Sequence, residues 1–152
     1  MYSLVEEMLK ETKTIAVVGC SSNEEKAAYI VPKYLQDKCY RIIPINPSRK
    51  KIIGKKALAS LEELEGVVDL VLVFRPSEET LLVAKAAVGK TKYLWLQLGI
   101  SNKEVEKIAK EANISLIMDK CMMVEHKSLF DWCNFSTLLN HELLLIHSYA
   151  SI

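Results

Sequence analysis

The sequence predicts an α/β fold in which helices cover both faces of a parallel five-stranded sheet, as a doubly wound three-layer αβα sandwich. Short apolar segments rich in β-branched residues alternate along the chain with segments of helical periodicity. Strands that are joined by helices run parallel, and the helices cover both faces of their sheet. A chain of 152 residues, half of them hydrophobic, is long enough for one such domain.

The first part of the chain predicts a helix, a strand, a polar loop and a second helix. Residues 3–12 place apolar side chains on one helical face, with Ser3 as the N-cap. Residues 14–18 form an apolar strand that stops at Gly19. After the polar loop, a helix covers about 27–38. Its predicted core side chains are Ile30, Val31, Tyr34 and Leu35.

Two prolines fall inside predicted elements. Pro32 is predicted near the first turn of the 27–38 helix, where proline costs little. The second strand covers 40–45 and ends before Asn46. Pro44 removes a donor from the hydrogen-bond ladder, so we expect it near the end of this strand or at a distortion.

The rest of the chain continues the alternation after a basic loop at 48–56, which has five cations and no acid. The predicted order is a short helix near 60–65, a strand at 69–74, a helix at about 77–89, a strand at 93–96, a helix that Ser101 caps with Glu104, and a strand at 115–118. We expect the domain to cover 1–129. Residues 130–152 are expected to be a C-terminal extension, either helical or flexible, whose apolar side chains would suit a second subunit.

Charge and cysteine content exclude several classes of protein. A net charge of +1 provides no global field that recruits nucleic acid or a membrane surface. The four cysteines have no CxxC spacing and indicate free thiols in a reducing compartment. The N-terminal residues lack the pattern of a signal peptide, and the apolar runs are too short to span a bilayer. We therefore expect a cytoplasmic protein.

Polar loops follow the carboxyl ends of the predicted strands, where ligands bind in a doubly wound sheet. After the first strand, Gly19 and a short polar loop lead into a helix. Such a turn directs unpaired backbone N–H groups toward an anion. The other strand ends are Asn46 to Lys51, Phe74-Arg75 and Gln97-Leu98-Gly99. Together they predict a site for a nucleotide or a phosphate.

The loop motifs restrict the choice of nucleotide. A dinucleotide fingerprint needs three glycines, and this loop has only Gly19. The second strand ends in Asn46-Pro47, where NAD-binding domains carry an acid for the ribose. The chain also lacks a Walker A motif. The cations after the second strand suit a ligand with an extra phosphate, such as a 3′-phosphorylated adenosine, and on the residues alone NADP remains open.

Six segments carry a family resemblance: TIAVVGCSSN, YRIIPINP, IIGKKALASLEEL, VDLVLVFRPSE, LWLQLGISNKE and MDKCMMVEH. In order and spacing they resemble the small stand-alone CoA-binding proteins. That family is similar to the CoA-binding domain of the succinyl-CoA synthetase α subunit. The resemblance covers roughly residues 4–129, and it implies a Rossmann-like domain that binds coenzyme A across the strand ends.

The resemblance also implies which residues contact coenzyme A. The glycine loop would hold the diphosphate, the ends of the second and third strands would line the adenine, and a basic residue would contact the phosphates. The residues so assigned are Gly19, Cys20, Ser21, Ser22, Asn23, Asn46, Pro47, Arg49, Phe74, Arg75, Gln97, Leu98 and Gly99. No residue is assigned to catalysis, and His126 is expected to be a structural or surface histidine.

The leading interpretation is a non-catalytic module that binds coenzyme A or acyl-CoA. One alternative is an enzyme, either NADP-dependent or an acyl-CoA enzyme that a partner chain completes. Another is an interaction protein with a degenerate pocket, an interpretation kept open by Glu24 and Glu25 in the glycine loop. A homodimer through the C-terminal segment is a further expectation. A last hypothesis is a mixed disulfide between the CoA thiol and Cys121 or Cys20.

Overall fold

The computed structural model describes residues 2–48 and 50–130, and these residues form seven strands and five helices. The strands are β1 (Thr14–Val18), β2 (Arg41–Ile45), β3 (Lys51–Ile52), β4 (Lys55–Lys56), β5 (Val68–Val73), β6 (Thr91–Leu96) and β7 (Ser115–Ile117). The helices are α1 (Leu4–Glu11), α2 (Ala27–Asp37), α3 (Thr80–Ala87), α4 (Lys103–Glu111) and α5 (122–130). Single 3₁₀ turns occupy Leu61–Glu63 and Ser77–Glu79.

Five strands form one parallel sheet in the order β2-β1-β5-β6-β7. From β1 the chain first moves outward to β2, and it then returns to place β5 on the other side of β1. The winding therefore reverses between β1 and β5, which is the topological switch point of the sheet. The predicted doubly wound, Rossmann-like α/β fold with five parallel strands is confirmed.

The two faces of the sheet each carry a hydrophobic core. Successive side chains of a strand point to opposite faces, so in β1 Ile15 and Val17 face one core while Ala16 and Val18 face the other. The first core packs against α1, α2 and α5, and the second packs against α3 and α4. This arrangement is the predicted three-layer sandwich.

Pro32 lies inside α2 rather than in its first turn, so its predicted position was wrong. A proline has no N–H to donate to the carbonyl four residues earlier, which here belongs to Ala28. That carbonyl instead accepts a hydrogen bond from the Ser21 N–H at 3.0 Å. The proline therefore leaves an acceptor that attaches the glycine loop to α2. Ile30, predicted to lie in the core, is 43% exposed.

Pro44 is tolerated because β2 is an edge strand of the sheet. On the side that faces β1, Ile45 accepts a hydrogen bond from the Gly19 N–H at 3.1 Å. Pro44 faces the other way, and its carbonyl accepts from the Leu58 N–H at 3.0 Å. The missing donor of Pro44 therefore removes no bond between β1 and β2.

The helix α4 begins one residue later than predicted. Its N-cap is Asn102, whose side chain accepts a hydrogen bond from the Glu104 N–H at 2.9 Å, so the assignment of this role to Ser101 was wrong. The Ser101 N–H donates to the Ser77 hydroxyl instead, at 3.2 Å. The two residue types cap helices equally well, so their tertiary contacts decided which of them does so.

Two other predicted segments differ in detail. The helix predicted at 77–89 is a 3₁₀ turn followed by the shorter α3, and the basic loop at 48–56 contains the antiparallel β3–β4 hairpin. Arg49 lies outside the described residues, and so does 131–152 of the predicted C-terminal extension. Among the described residues, no helix has both the length and the apolar character that a membrane crossing requires.

Candidate functional site

A cleft of about 710 Å³ opens at the switch point, beyond the carboxyl ends of β1, β2 and β5. The glycine loop and the start of α2 form one wall, and α3 forms another. The lining residues are Val18, Gly19, Cys20, Ser21, Lys26, Ala28, Ile45, Asn46, Pro47, Ala59, Ser60, Leu61, Glu62, Phe74, Arg75, Glu79, Leu82, Val83 and Ala86. Seven of the predicted site residues are among them.

Gly19 lies where the loops after β1 and β5 touch. Its φ of +83° belongs to the left-handed region, which side chains other than hydrogen disfavour. A Cβ atom at this position would lie 2.8 Å from the carbonyl oxygen of Phe74 and 2.9 Å from Cδ of Arg75. Glycine is therefore required for both conformation and space, and β1 ends directly before Gly19, where the sequence predicted that the strand stops.

The loop between Gly19 and α2 is organised by its own side chains. The Ser21 hydroxyl accepts a hydrogen bond from the Asn23 N–H at 3.0 Å, and the Asn23 side-chain oxygen accepts from the Glu25 N–H at 3.0 Å. The Asn23 carbonyl accepts from the Lys26 N–H at 3.1 Å. Ser22 and Asn23, both predicted to contact a ligand, do not line the cleft.

The N-terminus of α2 opens into the cleft without a side-chain cap. Lys26 occupies the N-cap position and makes no side-chain capping hydrogen bond, and both Lys26 and Ala28 line the cleft. In contrast, the side chains of Ser3 and Asn102 cap α1 and α4. The positive end of the α2 dipole and its first N–H groups therefore face a space that an anion can enter.

Asn46 joins the loop after β2 to the glycine loop. Its Nδ2 donates to the Cys20 carbonyl at 2.8 Å, and its Oδ1 accepts from the Ser48 N–H at 2.9 Å. Its neighbour Pro47 lines the cleft, as predicted for one wall of a nucleotide site. Asn46 therefore fixes the position of the loop after β2 relative to the glycine loop.

Cys20 lines the cleft, and its burial makes its thiol a poor nucleophile. Its side chain is fully buried, and burial raises the pKa of the thiol to about 12, although a backbone hydrogen bond from Ser21 opposes this shift. A thiol must lose its proton to attack a disulfide. The structure therefore argues against the hypothesis of a mixed disulfide at Cys20. Cys121, the other cysteine of that hypothesis, is half-buried.

Among the described residues, the charged side chains that line the cleft are two cations and two carboxylates. They are Lys26, Arg75, Glu62 and Glu79. Arg75 Nε donates to Oε2 of Glu79 at 2.6 Å, and both side chains are nearly half-exposed. An ion pair this exposed contributes little stability, so a ligand phosphate competes for the guanidinium at small cost.

The loop after β6 lies away from the cleft. Gln97 is 5% exposed, and its Oε1 accepts a hydrogen bond from the Met122 N–H at the start of α5, at 3.3 Å. The Gly99 N–H donates to Oδ1 of Asp119 at 2.7 Å. Leu98 is exposed, and none of the three residues from 97 to 99 lines the cleft. Their predicted contact with a ligand stays a prediction.

His126 belongs to the core side of α5, as expected for a structural histidine. It is 7% exposed, and its Nδ1 lies 2.8 Å from the Tyr34 hydroxyl. The ring also packs on Tyr40 and Phe130. In the part of the chain that the structure describes, no group of three or more His, Cys, Asp or Glu side chains could hold a metal ion.

Sequence reasoning missed the apolar wall that α3 gives to the cleft. Leu82, Val83 and Ala86 line it, and Leu82 is 72% exposed. Ala86 lies four residues after Leu82 and three after Val83, so the three side chains share one side of the helix. The same spacing also predicts an ordinary core face, so the sequence carried no signal that separates the two roles.

A comparison with models of protein families identifies the family to which this chain belongs. Residues 13–127 match the model of a family described as the CoA binding domain. The chain belongs to the CoA-binding domain family. The match covers all five strands of the parallel sheet and every element that lines the cleft, so the resemblance carried by the six sequence segments is confirmed.

Two small proteins are similar to this chain over most of their own length. The uncharacterized protein YneT of Bacillus subtilis is 39% identical over 123 residues, which cover 80% of this chain and 91% of YneT. A solved structure from Thermus thermophilus is 38% identical with a TM-score of 0.77, over 82% of this chain and 96% of that one.

A much larger protein also contains a similar segment. The ADP-forming acetate–CoA ligase of Methanocaldococcus jannaschii is 29% identical over 119 residues. These residues cover 72% of this chain and 17% of the ligase. The chain therefore corresponds to about a sixth of that enzyme's length.

Proposed function

We propose that this chain is a non-catalytic module that binds coenzyme A or acyl-CoA in the cleft at the switch point. The observation that carries the proposal is the N-terminus of α2, which opens into the cleft beside Gly19 without a side-chain cap. Backbone N–H groups and the helix dipole stabilise a phosphate at such a position. Membership of the CoA-binding domain family supports coenzyme A as the ligand.

The lining of the cleft suits the separate parts of this ligand. In the proposal, the diphosphate lies against Gly19, Ser21 and the start of α2. Pro47 and Phe74 supply apolar walls for the adenine. The apolar side chains that α3 presents to the cleft, including Leu82, pack against the uncharged arm that carries the thiol.

The proposal is tested first by thermal unfolding in the presence of millimolar coenzyme A, NADP or ATP. A ligand that binds only the folded state stabilises it by about 2.7 kcal/mol at a hundred times its Kd. For a domain of this size, that stabilisation raises Tm by several degrees. We expect the rise with coenzyme A alone. A rise with NADP alone would overturn the assignment in favour of a nicotinamide enzyme.

A charge reversal locates the ligand within the cleft. Lys26→Glu places a carboxylate at the N-terminus of α2, so we expect the Kd for coenzyme A to rise at least tenfold, which is about 1.4 kcal/mol. The matched control is Lys107→Glu on the exposed side of α4, which changes the net charge equally and lies outside the cleft lining. Equal Kd values for the two variants in calorimetry would remove α2 from the site.

A second candidate function is that of a CoA-binding subunit in an acyl-CoA ligase that a partner chain completes. The similarity to one part of the M. jannaschii acetate–CoA ligase favours this candidate. The assay is the formation of ATP from acetyl-CoA, ADP and phosphate, and the two functions differ in it only when the partner chain is present. Under either function we expect the chain alone to bind coenzyme A without turnover. Turnover by the chain alone would overturn the non-catalytic assignment.

A further inference from the structure

Glu62 contributes a carboxylate to the cleft that the proposed function does not use. Its side chain is exposed and lines the cleft. Within the described part of the chain, this carboxylate makes no hydrogen bond or ion pair. Glu79, the other carboxylate of the described lining, already accepts from Arg75 Nε at 2.6 Å. The Glu62 carboxylate is therefore available to accept a hydrogen bond from a ligand.

The backbone around Glu62 is held in place by one lysine. Lys90 Nζ donates to the carbonyls of Leu61, Glu62 and Leu64, at 2.9, 3.1 and 3.2 Å. Leu61, which begins the 3₁₀ turn, is 4% exposed and belongs to the core that packs against α3 and α4. Glu62 therefore lines the cleft from a backbone that the fold fixes.

The segment that carries Glu62 is joined to the loop after β2. The Asn46 N–H donates to the carbonyl of Leu58, four residues before Glu62, at 2.8 Å. Pro47 follows Asn46 directly, and both Pro47 and Glu62 line the cleft. In the proposed function, Pro47 is one of the walls that contact the adenine. Glu62 therefore lies on the segment of the lining that is bonded to this wall.

The negative charge of Glu62 restricts the ligand groups that it can contact. A carboxylate repels a phosphate, and the proposed function places the diphosphate at the start of α2 instead. An ionised carboxylate accepts hydrogen bonds and has no hydrogen to donate. Adenine provides an uncharged donor, its 6-amino group. This amino group is the part of the base that matches the Glu62 carboxylate.

Two other polar side chains in this part of the lining do not distinguish an amino group from a carbonyl oxygen. Asn46 donates through Nδ2 to the Cys20 carbonyl and accepts through Oδ1 from the Ser48 N–H. The Ser60 hydroxyl can both donate and accept. Glu62 only accepts, so a carbonyl oxygen in place of the amino group would face the carboxylate with no hydrogen between them. The choice between the two groups therefore depends on Glu62.

We propose that Glu62 accepts a hydrogen bond from the 6-amino group of adenine, and that it thereby selects this base over one with a carbonyl oxygen at the same position. This inference rests on the proposed function, because it requires the nucleotide of coenzyme A in the cleft. Glu62 is a specificity determinant for the base, and the contacts of the diphosphate with the start of α2 do not depend on it.

The test compares the Kd values of coenzyme A and its hypoxanthine analogue by calorimetry at neutral pH. In the analogue, a carbonyl oxygen replaces the 6-amino group. The two ligands carry the same phosphates, so the ratio of their Kd values does not respond to the general charge of the cleft. We expect the wild-type chain to prefer coenzyme A at least tenfold, because the analogue offers no donor to the carboxylate.

Glu62→Gln replaces the carboxylate with an amide of the same size. The amide accepts from an amino group and also donates to a carbonyl oxygen. The preference for coenzyme A should therefore fall below threefold, chiefly because the Kd of the hypoxanthine analogue decreases. A tenfold preference that persists in this variant would overturn the inference.

The control is Glu65→Gln, which removes the same charge three residues later from an exposed side chain outside the cleft lining. This variant should retain the tenfold preference, and a loss as complete as in Glu62→Gln would overturn the assignment to Glu62. Equal wild-type affinity for the two ligands would overturn this inference and leave the proposed function intact. Failure of the wild type to bind either ligand would overturn the proposed function and this inference together.

Discussion

Gly19 is the residue at which conformation and space restrict the chain most strongly. Gly19→Ala would place a methyl group 2.8 Å from the Phe74 carbonyl oxygen in a left-handed backbone conformation. We expect the free energy of unfolding to fall by about 2–3 kcal/mol, because the backbone strain and the close contact both destabilise the folded state. Urea denaturation measures the change.

The matched control for this substitution is Gly89→Ala. Gly89 has a φ of +79°, close to that of Gly19, but nothing lies within 4 Å of a Cβ atom built there. The Gly89→Ala variant should lose about 1 kcal/mol of unfolding free energy, because only the left-handed backbone conformation is unfavourable there. If both variants lose the same stability, the contact with the loop after β5 contributes nothing and the prediction fails.

Cys20 and Cys39 differ in burial, so we expect them to differ in reactivity. Cys20 is buried with its pKa raised to about 12, whereas Cys39 is exposed. In the native protein at pH 8, we expect iodoacetamide to modify Cys39 and to leave Cys20 intact, with both modified in denaturant. Peptide masses after digestion report the sites. Rapid modification of Cys20 in the native protein would contradict the assignment of an inert thiol.

At the scale of single elements, the N-cap of α4 is Asn102, whereas the sequence predicted Ser101 for this role. Asn102→Ala removes the side chain that accepts from the Glu104 N–H, so we expect a loss of about 1 kcal/mol in unfolding free energy. Ser101→Ala removes no cap, because only the backbone N–H of Ser101 bonds to Ser77, and should change stability by less than about 0.5 kcal/mol. The opposite ranking in urea denaturation would return the cap to Ser101.

The beginning of α1 was predictable from a local residue type. Ser3 caps α1 as predicted, and its hydroxyl accepts from the Glu6 N–H at 3.2 Å. Pro32 was placed wrongly because the cost of an interior proline depends on what happens to the carbonyl of Ala28. Here the Ser21 N–H satisfies that carbonyl from a loop that is close only in the folded chain.

At the scale of the whole molecule, Asp69 connects two parallel strands, and its hydrogen bonds lead us to expect a fold that loses stability in acid. Its Oδ2 accepts from the backbone N–H groups of Lys13 and Thr14, at 2.8 and 3.0 Å. Partial burial raises the pKa of this carboxyl, but these hydrogen bonds outweigh burial and hold it below its ordinary value. Because the folded-state pKa is lowered, the stabilisation is complete above the unfolded pKa and is lost as the pH falls through the folded pKa.

Asp69→Asn tests this dependence. We expect the variant to be less stable than the wild type by about 1 kcal/mol at neutral pH, because a charged acceptor is lost. The difference should begin to shrink below about pH 4, where the carboxyl of the unfolded wild-type chain takes up a proton, and it should go on shrinking as the pH falls through the lowered folded-state pKa. Urea denaturation between pH 3 and pH 7 measures it, with the exposed Glu65→Gln as the control. A difference that stays constant across this range would show that the charge of Asp69 has no part in it.

The sequence by itself determined how the strands of the parallel sheet alternate with helices along the chain, and it also determined the family. Local periodicity sets the type of each element, and the six short segments keep their order along the chain. The glycine loop and the strand ends at Asn46 and Phe74 were therefore found without a structure. These features depend on neighbours in sequence, which a single chain of letters displays directly.

Only the tertiary structure decided which strand-end loops share a cleft. The loops after β1, β2 and β5 meet because the winding reverses between β1 and β5, whereas the loop after β6 packs against the residues that follow β7 through Gly99 and Asp119. The apolar wall from α3 and the uncapped start of α2 were likewise visible only in the fold. Proximity between distant segments depends on the order of strands in the sheet, and the local patterns that set each element do not encode that order.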